Sequence, residues 1–130
     1  MRTIRYGGQL VPGDFIAVSD GNHINFGWYA GDGRGTLQYY SMRGPIMCYK
    51  DYESWLKYTD EEKAKNKWMT SRFDKGFTIK CLWKSYINSV HRTRVMKLTN
   101  VEDIFTDPED IKEYQQSREV MIKLNLVKQD

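Results

Sequence analysis

Cysteine is scarce in this chain: only Cys48 and Cys81 occur, far apart and outside any C-x-x-C spacing. That excludes a disulfide framework or a zinc ribbon as the organising principle and predicts two reduced thiols. Histidine is equally sparse. His23 and His91 are remote from each other and from the cysteines, so the residue types that hold metals never fall at ligand spacing, and no metal or other cofactor is expected. No run approaches the roughly 20 apolar residues that a bilayer crossing requires. The opening MRTIRYGGQL lacks the apolar core of a secretory signal, so a cytoplasmic protein without a membrane partner is predicted. Proline is limited to three residues, and there are no repeats, low-complexity tracts or evident linker. A chain of 130 residues of this kind predicts a single domain, 1–130.

Apolar residues make up 40% of the chain and aromatics 14%, enough to build a core, while the 28% charged residues are of mixed sign, unlike most disordered chains. The charge is distributed unevenly. Residues 1–62 hold six Lys/Arg against eight Asp/Glu, and residues 98–130 hold four against eight. Residues 63–97 hold ten basic residues against the single acid Asp74. Between those cations stand Trp68, Phe73, Phe77, Trp83 and Tyr86. Lys and Arg neutralise phosphates, and exposed aromatic faces stack on unpaired bases, so the segment suits a polyanion carrying flat groups. The same pattern also suits a solvated face over an ordinary core, with the acidic C-terminal third folded back to cancel it.

Residues 14–18, 23–30 and 36–41 are rich in β-branched and aromatic types and are separated by Asp20-Gly21-Asn22 and by Gly31-Asp32-Gly33-Arg34-Gly35, which predicts a three-stranded meander. Alternation puts Ile24, Phe26, Trp28 and Ala30 toward the core and His23, Asn25 and Tyr29 away from it. The glycine-rich stretch runs between two strands rather than into a helix, so it reads as a hairpin turn and not a phosphate loop. A short helix is expected near 49–58. A second begins at Thr59 with a capping box to Glu62 and ends near Gly76, with Ala64, Trp68 and Met69 inward and Lys63, Asn66, Lys67 and Thr70 wet. Residues 77–84 alternate as a strand with Phe77, Ile79, Cys81 and Trp83 inward and Thr78, Lys80 and Lys84 outward. After a loop near Asn88, residues 91–98 form another; pairing of the two would collect four or five cations on one face. Asp107 and Pro108 open a C-terminal helix whose apolar stripe is Ile111, Tyr114, Met121 and Leu124. The fold class predicted is α+β: a curved antiparallel sheet or small open barrel of about five strands packed with two or three helices, the C-terminal one included.

The stretch Leu10-Val11-Pro12-Gly13-Asp14-Phe15-Ile16 followed by Asn25-Phe26-Gly27-Trp28-Tyr29-Ala30-Gly31-Asp32-Gly33 resembles the core hairpin of the papain-like superfamily that includes bacterial cell-wall peptidases and lecithin:retinol-type acyltransferases. In that family a P-G-D segment opens a strand and a His-x-Gly-x-Tyr-x-Gly segment carries the catalytic histidine. Asn25 occupies the histidine position here, and His23 lies two residues earlier on the same strand face. The resemblance covers residues 10–33. It implies either a thiol enzyme with Cys48 or Cys81 as nucleophile and His23 as base, or an inactive relative, because an amide cannot act as a general base.

Acidic residues fall mainly in turns and at helix starts, where capping accounts for them, so no catalytic residue is assigned. The function expected is non-catalytic binding of nucleic acid or another polyanionic, acidic surface. The phosphate contacts would be Lys80, Lys84, Arg92, Arg94 and Lys97, with Trp83 inside, Tyr86 near the edge, and Tyr86, Tyr29 and Tyr40 as stacking candidates. The alternative is a small accessory or inhibitor protein, such as a phage-encoded regulator of a host enzyme, that docks on a protein partner through Tyr29, Tyr39 and Tyr40 of the meander.

Overall fold

A computed structural model describes residues 2–4, 10–73, 79–87 and 93–127. Among the described residues six antiparallel strands form one open sheet in the order β1-β6-β2-β3-β4-β5. They are β1 Arg2–Ile4, β2 Phe15–Ser19, β3 Ile24–Gly33, β4 Thr36–Ser41, β5 Ile79–Trp83 and β6 Arg94–Lys97. The predicted meander is β2-β3-β4, and Arg34-Gly35 is the tip of its second hairpin, with Gly35 at φ +71° as a tight reversal requires. Within β3 the register slips between Tyr29 and Gly31, a bulge that lets Gly31 sit at φ +108° and sharpens the strand's twist.

The sheet is buried on both faces. Phe15, Ala17, Trp28 and Tyr40 point toward the helices and pack with Cys48, Trp55, Phe73, Phe105 and Met121. Ile16, Val18, Tyr29, Leu37, Tyr39 and Val95 point the other way and form a second cluster with Ile87. This inner face packs on itself: after β5 the chain makes a 3-10 turn, Lys84–Tyr86, and Ile87 bridges to Thr93 just before β6. Sequence alternation assumed one covered face; the curl of the sheet supplies the second cover. Tyr29 is therefore 7% exposed although it points away from Trp28, while Ile24, expected inside, lies at the open end of its strand and is 56% exposed.

The described residues form five helices, α1 Arg43–Leu56, α2 Asp60–Lys65, α3 Lys67–Phe73, α4 Val101–Ile104 and α5 Pro108–Lys123, of which α1, α3, α4 and α5 cover the outer face while α2 buries no residue. Helix α1 starts earlier than expected, with Pro45 in its first turn, where a missing N–H does no harm. The capping box at Thr59 is present in both directions. The single helix expected from Thr59 onward is instead broken at Asn66, whose φ of −105° and ψ of 61° lie outside the helical region. Trp55 Nε1 donates to Thr70 Oγ1 (3.1 Å), and Thr70 Oγ1 donates to the carbonyl of Lys63 (2.7 Å), which sets the rotation of α3. Met69 and Phe73 turn inward and Trp68 turns out. The expected end near Gly76 lies outside the described residues. Helix α5 has the predicted Asp107 cap and Pro108 start, and Met121 is fully buried on its stripe.

Trp28 Nε1 donates to Ser117 Oγ at 2.9 Å inside the helix-side core, tying β3 to α5. Replacing Ser117 with Ala leaves the indole N–H without an acceptor and is expected to cost about 1–3 kcal/mol. Met121→Ala in the same core is expected to cost about 2–5 kcal/mol. Urea denaturation followed by tryptophan fluorescence measures both.

Candidate polyanion-binding surface

Strand β5 positions the candidate surface. Ile79 packs into the helix-side core opposite Tyr40, but the helical cover ends there. Trp83, at the far end of the strand and about 13 Å further along, lies beyond it and is 58% exposed. The predicted alternation is correct in that Ile79, Cys81 and Trp83 share a face; the prediction that Trp83 is inside is corrected, because that face is covered only at one end. Trp83 stands opposite Thr36 in the register, and its ring lies 3.9 Å from where a Cβ on Gly35 would be. The Lys84 N–H donates to the Gly35 carbonyl (3.1 Å), fastening the 3-10 turn and Tyr86 to the hairpin tip. Arg34 at that tip, Lys80 and Tyr86 are exposed. β5 thus gathers Arg34, Lys80, Trp83, Lys84 and Tyr86 at one margin of the sheet.

The remaining sheet cations are elsewhere. β5 and β6 do not pair; β6 pairs with β1 and β2, so the expected common face of four or five cations is corrected. Arg94 stands opposite Ser19 on the helix side, donating to the Thr93 carbonyl (2.9 Å), whereas Lys97 stands opposite Ile16 on the inner side. Lys97 Nζ is 3.5 Å from Asp14 and lines a cleft of about 290 Å³ with Arg118, Trp28 and Tyr114. Lys84 Nζ is 3.5 Å from Asp32, which also accepts the Tyr29 hydroxyl at 2.7 Å. These acids belong to the meander, whereas the alternative reading of the basic segment placed the neutralising charge in the C-terminal third. Arg92 lies outside the described residues, as do Phe77, Thr78 and His91.

A second aromatic-cation group stands on α3. Trp68 is 67% exposed, with the Arg72 guanidinium 5.2 Å from its ring centroid and Lys67 exposed beside it. Lys63, expected wet, lies 4.3 Å over the Trp55 ring. Sequence reasoning assigned Trp68 and Trp83 to the core and gave Arg34 no role. A usable signal was present for both tryptophans, each being immediately flanked by lysine, Lys67 and Lys84.

The tyrosines expected to dock a partner are not available for it. Tyr29, Tyr39 and Tyr40 are buried, Tyr29 and Tyr39 in the inner cluster and Tyr40 in the helix-side one. Of the tyrosines proposed for stacking, Tyr86 alone is exposed. Asn25 hydrogen-bonds Tyr39. His23 is exposed in the β2–β3 turn, where its backbone N–H donates to Asp20 Oδ1 (2.7 Å); Cys48 is buried on α1, where it accepts from Arg72 Nη2; and Cys81 is exposed on β5. Among the described residues no group of three His, Cys, Asp or Glu side chains is disposed to hold a metal, and no helix is long and apolar enough to cross a membrane. No known protein family, curated protein or solved structure matches this chain.

Burial pushes the Tyr39 phenol above its ordinary value against the opposing hydrogen bond from Asn25, and burial also raises Tyr40. A phenol that ionises later in the folded chain than in the unfolded one stabilises the fold fully below the unfolded value of about 10, and this contribution is lost as pH rises through the folded value. Stability measured by urea denaturation is therefore expected to fall from about pH 10 upward. Tyr39→Phe is expected to make that fall shallower.

Proposed function

We propose that this chain is a non-catalytic binding protein for single-stranded nucleic acid, held through its exposed aromatic rings and the cations around them. One observation carries the reading. Among the described residues the exposed aromatics are Trp68, Trp83 and Tyr86, and all three fall within residues 63–97, where basic residues outnumber acids ten to one. Every other described aromatic is buried or half-buried. An exposed indole costs stability that a protein recovers by covering it with a ligand, and a base offers a flat apolar face of matching size. Duplex DNA hides those faces in its stack, which favours unpaired strands. Stacking accepts any base, so weak sequence preference follows. Arg34, Lys67 and Lys80 are exposed, have no acidic partner among the described residues and are the phosphate contacts of first choice, with Lys84 joining once Asp32 releases it.

Titrating single-stranded and double-stranded oligonucleotides at rising salt, with tryptophan fluorescence as readout, tests the proposal. The expected result is quenching by single strands, with affinity falling as salt rises because bound phosphates release counterions. Trp83→Ala and Trp68→Ala are each expected to weaken binding by about 1–3 kcal/mol, and Lys80→Glu to reduce the salt dependence as well. Absence of measurable affinity at low salt refutes the reading.

A further inference from the structure

The outer edge of β5 carries an interaction surface of its own. The Lys84 N–H to Gly35 carbonyl bond extends the β4–β5 register by one pair. Hydrogen-bonded pairs in an antiparallel ladder recur every second residue, so Leu82 with Leu37 and Lys80 with Tyr39 are also hydrogen-bonded pairs. The intervening residues point their backbone groups the other way. The N–H and C=O of Cys81, the C=O of Ile79 and the N–H of Trp83 therefore face outward, and among the described residues no strand lies against them. The side chains of this row, Ile79, Cys81 and Trp83, share one face and are exposed at Cys81 and Trp83.

We propose that β5 pairs antiparallel with β5 of a second copy of this chain about a two-fold axis at Cys81. The register matches itself. Cys81 faces Cys81 and exchanges both backbone bonds, while each Trp83 N–H meets the Ile79 carbonyl of the other copy, so every outward group named above is used. The same register lays each exposed indole over the other copy's Ile79 and sets Lys80 opposite Leu82, so no two like charges stand directly opposed. Such an isologous contact closes on itself, removes an open edge that would otherwise template aggregation, and joins two six-stranded sheets into one. A foreign strand could meet the backbone groups, but nothing in its sequence need place an apolar residue against Trp83 and a neutral one against Lys80. The inference does not rest on nucleic-acid binding; it competes with a base for the Trp83 indole and leaves Trp68 on α3 outside the contact.

The test uses the full chain, free of nucleic acid. Sedimentation equilibrium across a wide concentration range is expected to give a dimer. The two Cys81 Cα atoms would lie about 5.5 Å apart, so a short bismaleimide is expected to link the chains, and Cys81→Ser is expected to remain a dimer that cannot be linked. Cys81→Lys places two ammonium groups face to face and is expected to give the monomer mass with an unchanged circular dichroism spectrum. Cys81→Pro checks the backbone contribution, because its N–H points outward and its loss removes no bond to β4; it too is expected to be monomeric. A monomer at every concentration, a dimer that bismaleimide does not link, or a dimer that survives Cys81→Lys overturns the proposal. Loss of oligonucleotide binding by a chain that still dimerises counts against the nucleic-acid reading alone.

Discussion

Burial of the sheet on both faces is the constraint on which the rest depends. Trp28 and Tyr29 are neighbours in β3 and point in opposite directions, yet each is the centre of a core: Trp28 against Phe15, Tyr114 and Ser117, Tyr29 within the inner cluster and tied to Asp32. A sheet of six short strands with both faces occupied has little left for recognition except its margins. The exposed aromatic side chains accordingly appear at the end of β5, on the turn that follows it and on α3, where the covering layers run out.

The same constraint governs the charges. Two cations on the inner side are held by acids of the meander, Lys97 by Asp14 and Lys84 by Asp32, whereas Lys80, opposite Tyr39 on the same side, is exposed on the edge strand. At half-exposed sites such pairs contribute little stability, but they tether long side chains and lower the local positive potential. Arg34, Lys67 and Lys80 are exposed and form no ion pair among the described residues. A ligand that is itself a flexible chain can reach cations and rings strung along a margin, whereas a compact ligand needs them to converge in a cleft. This is the physical reason for placing a polymer, rather than a small metabolite, on the proposed surface.

Much of the architecture was legible because it follows from local chemistry. The meander is marked by β-branched and aromatic runs between Asp-Gly-Asn and Gly-Asp-Gly-Arg-Gly, the second helix by the reciprocal bonds of Thr59 and Glu62, and α5 by Asp107 and Pro108. Each of these signals spans a few residues and needs no distant partner. The misreadings share the opposite property. Trp68 points outward because Asn66 breaks the helix and a hydrogen bond from Trp55 to Thr70 sets the phase after the break. Trp83 is exposed because the covering helices reach Ile79 and no further. Tyr29 and Tyr39 are buried because the sheet curls until Ile87 meets the inner cluster, and Tyr40 because the helices cover the opposite face.

By itself, the sequence determined the meander, the starts of α2 and α5, which side chains of β5 share a face, the α+β class, and the concentration of cations and rings between residues 63 and 97. Tertiary structure alone decided which of those faces is covered, which lysines meet an acid, and that β5 and β6 lie apart in the sheet with β2, β3 and β4 between them. The division has a simple cause. Periodicity and capping depend on residues within about one helical turn, while exposure and charge pairing depend on segments that approach only when the whole sheet is assembled.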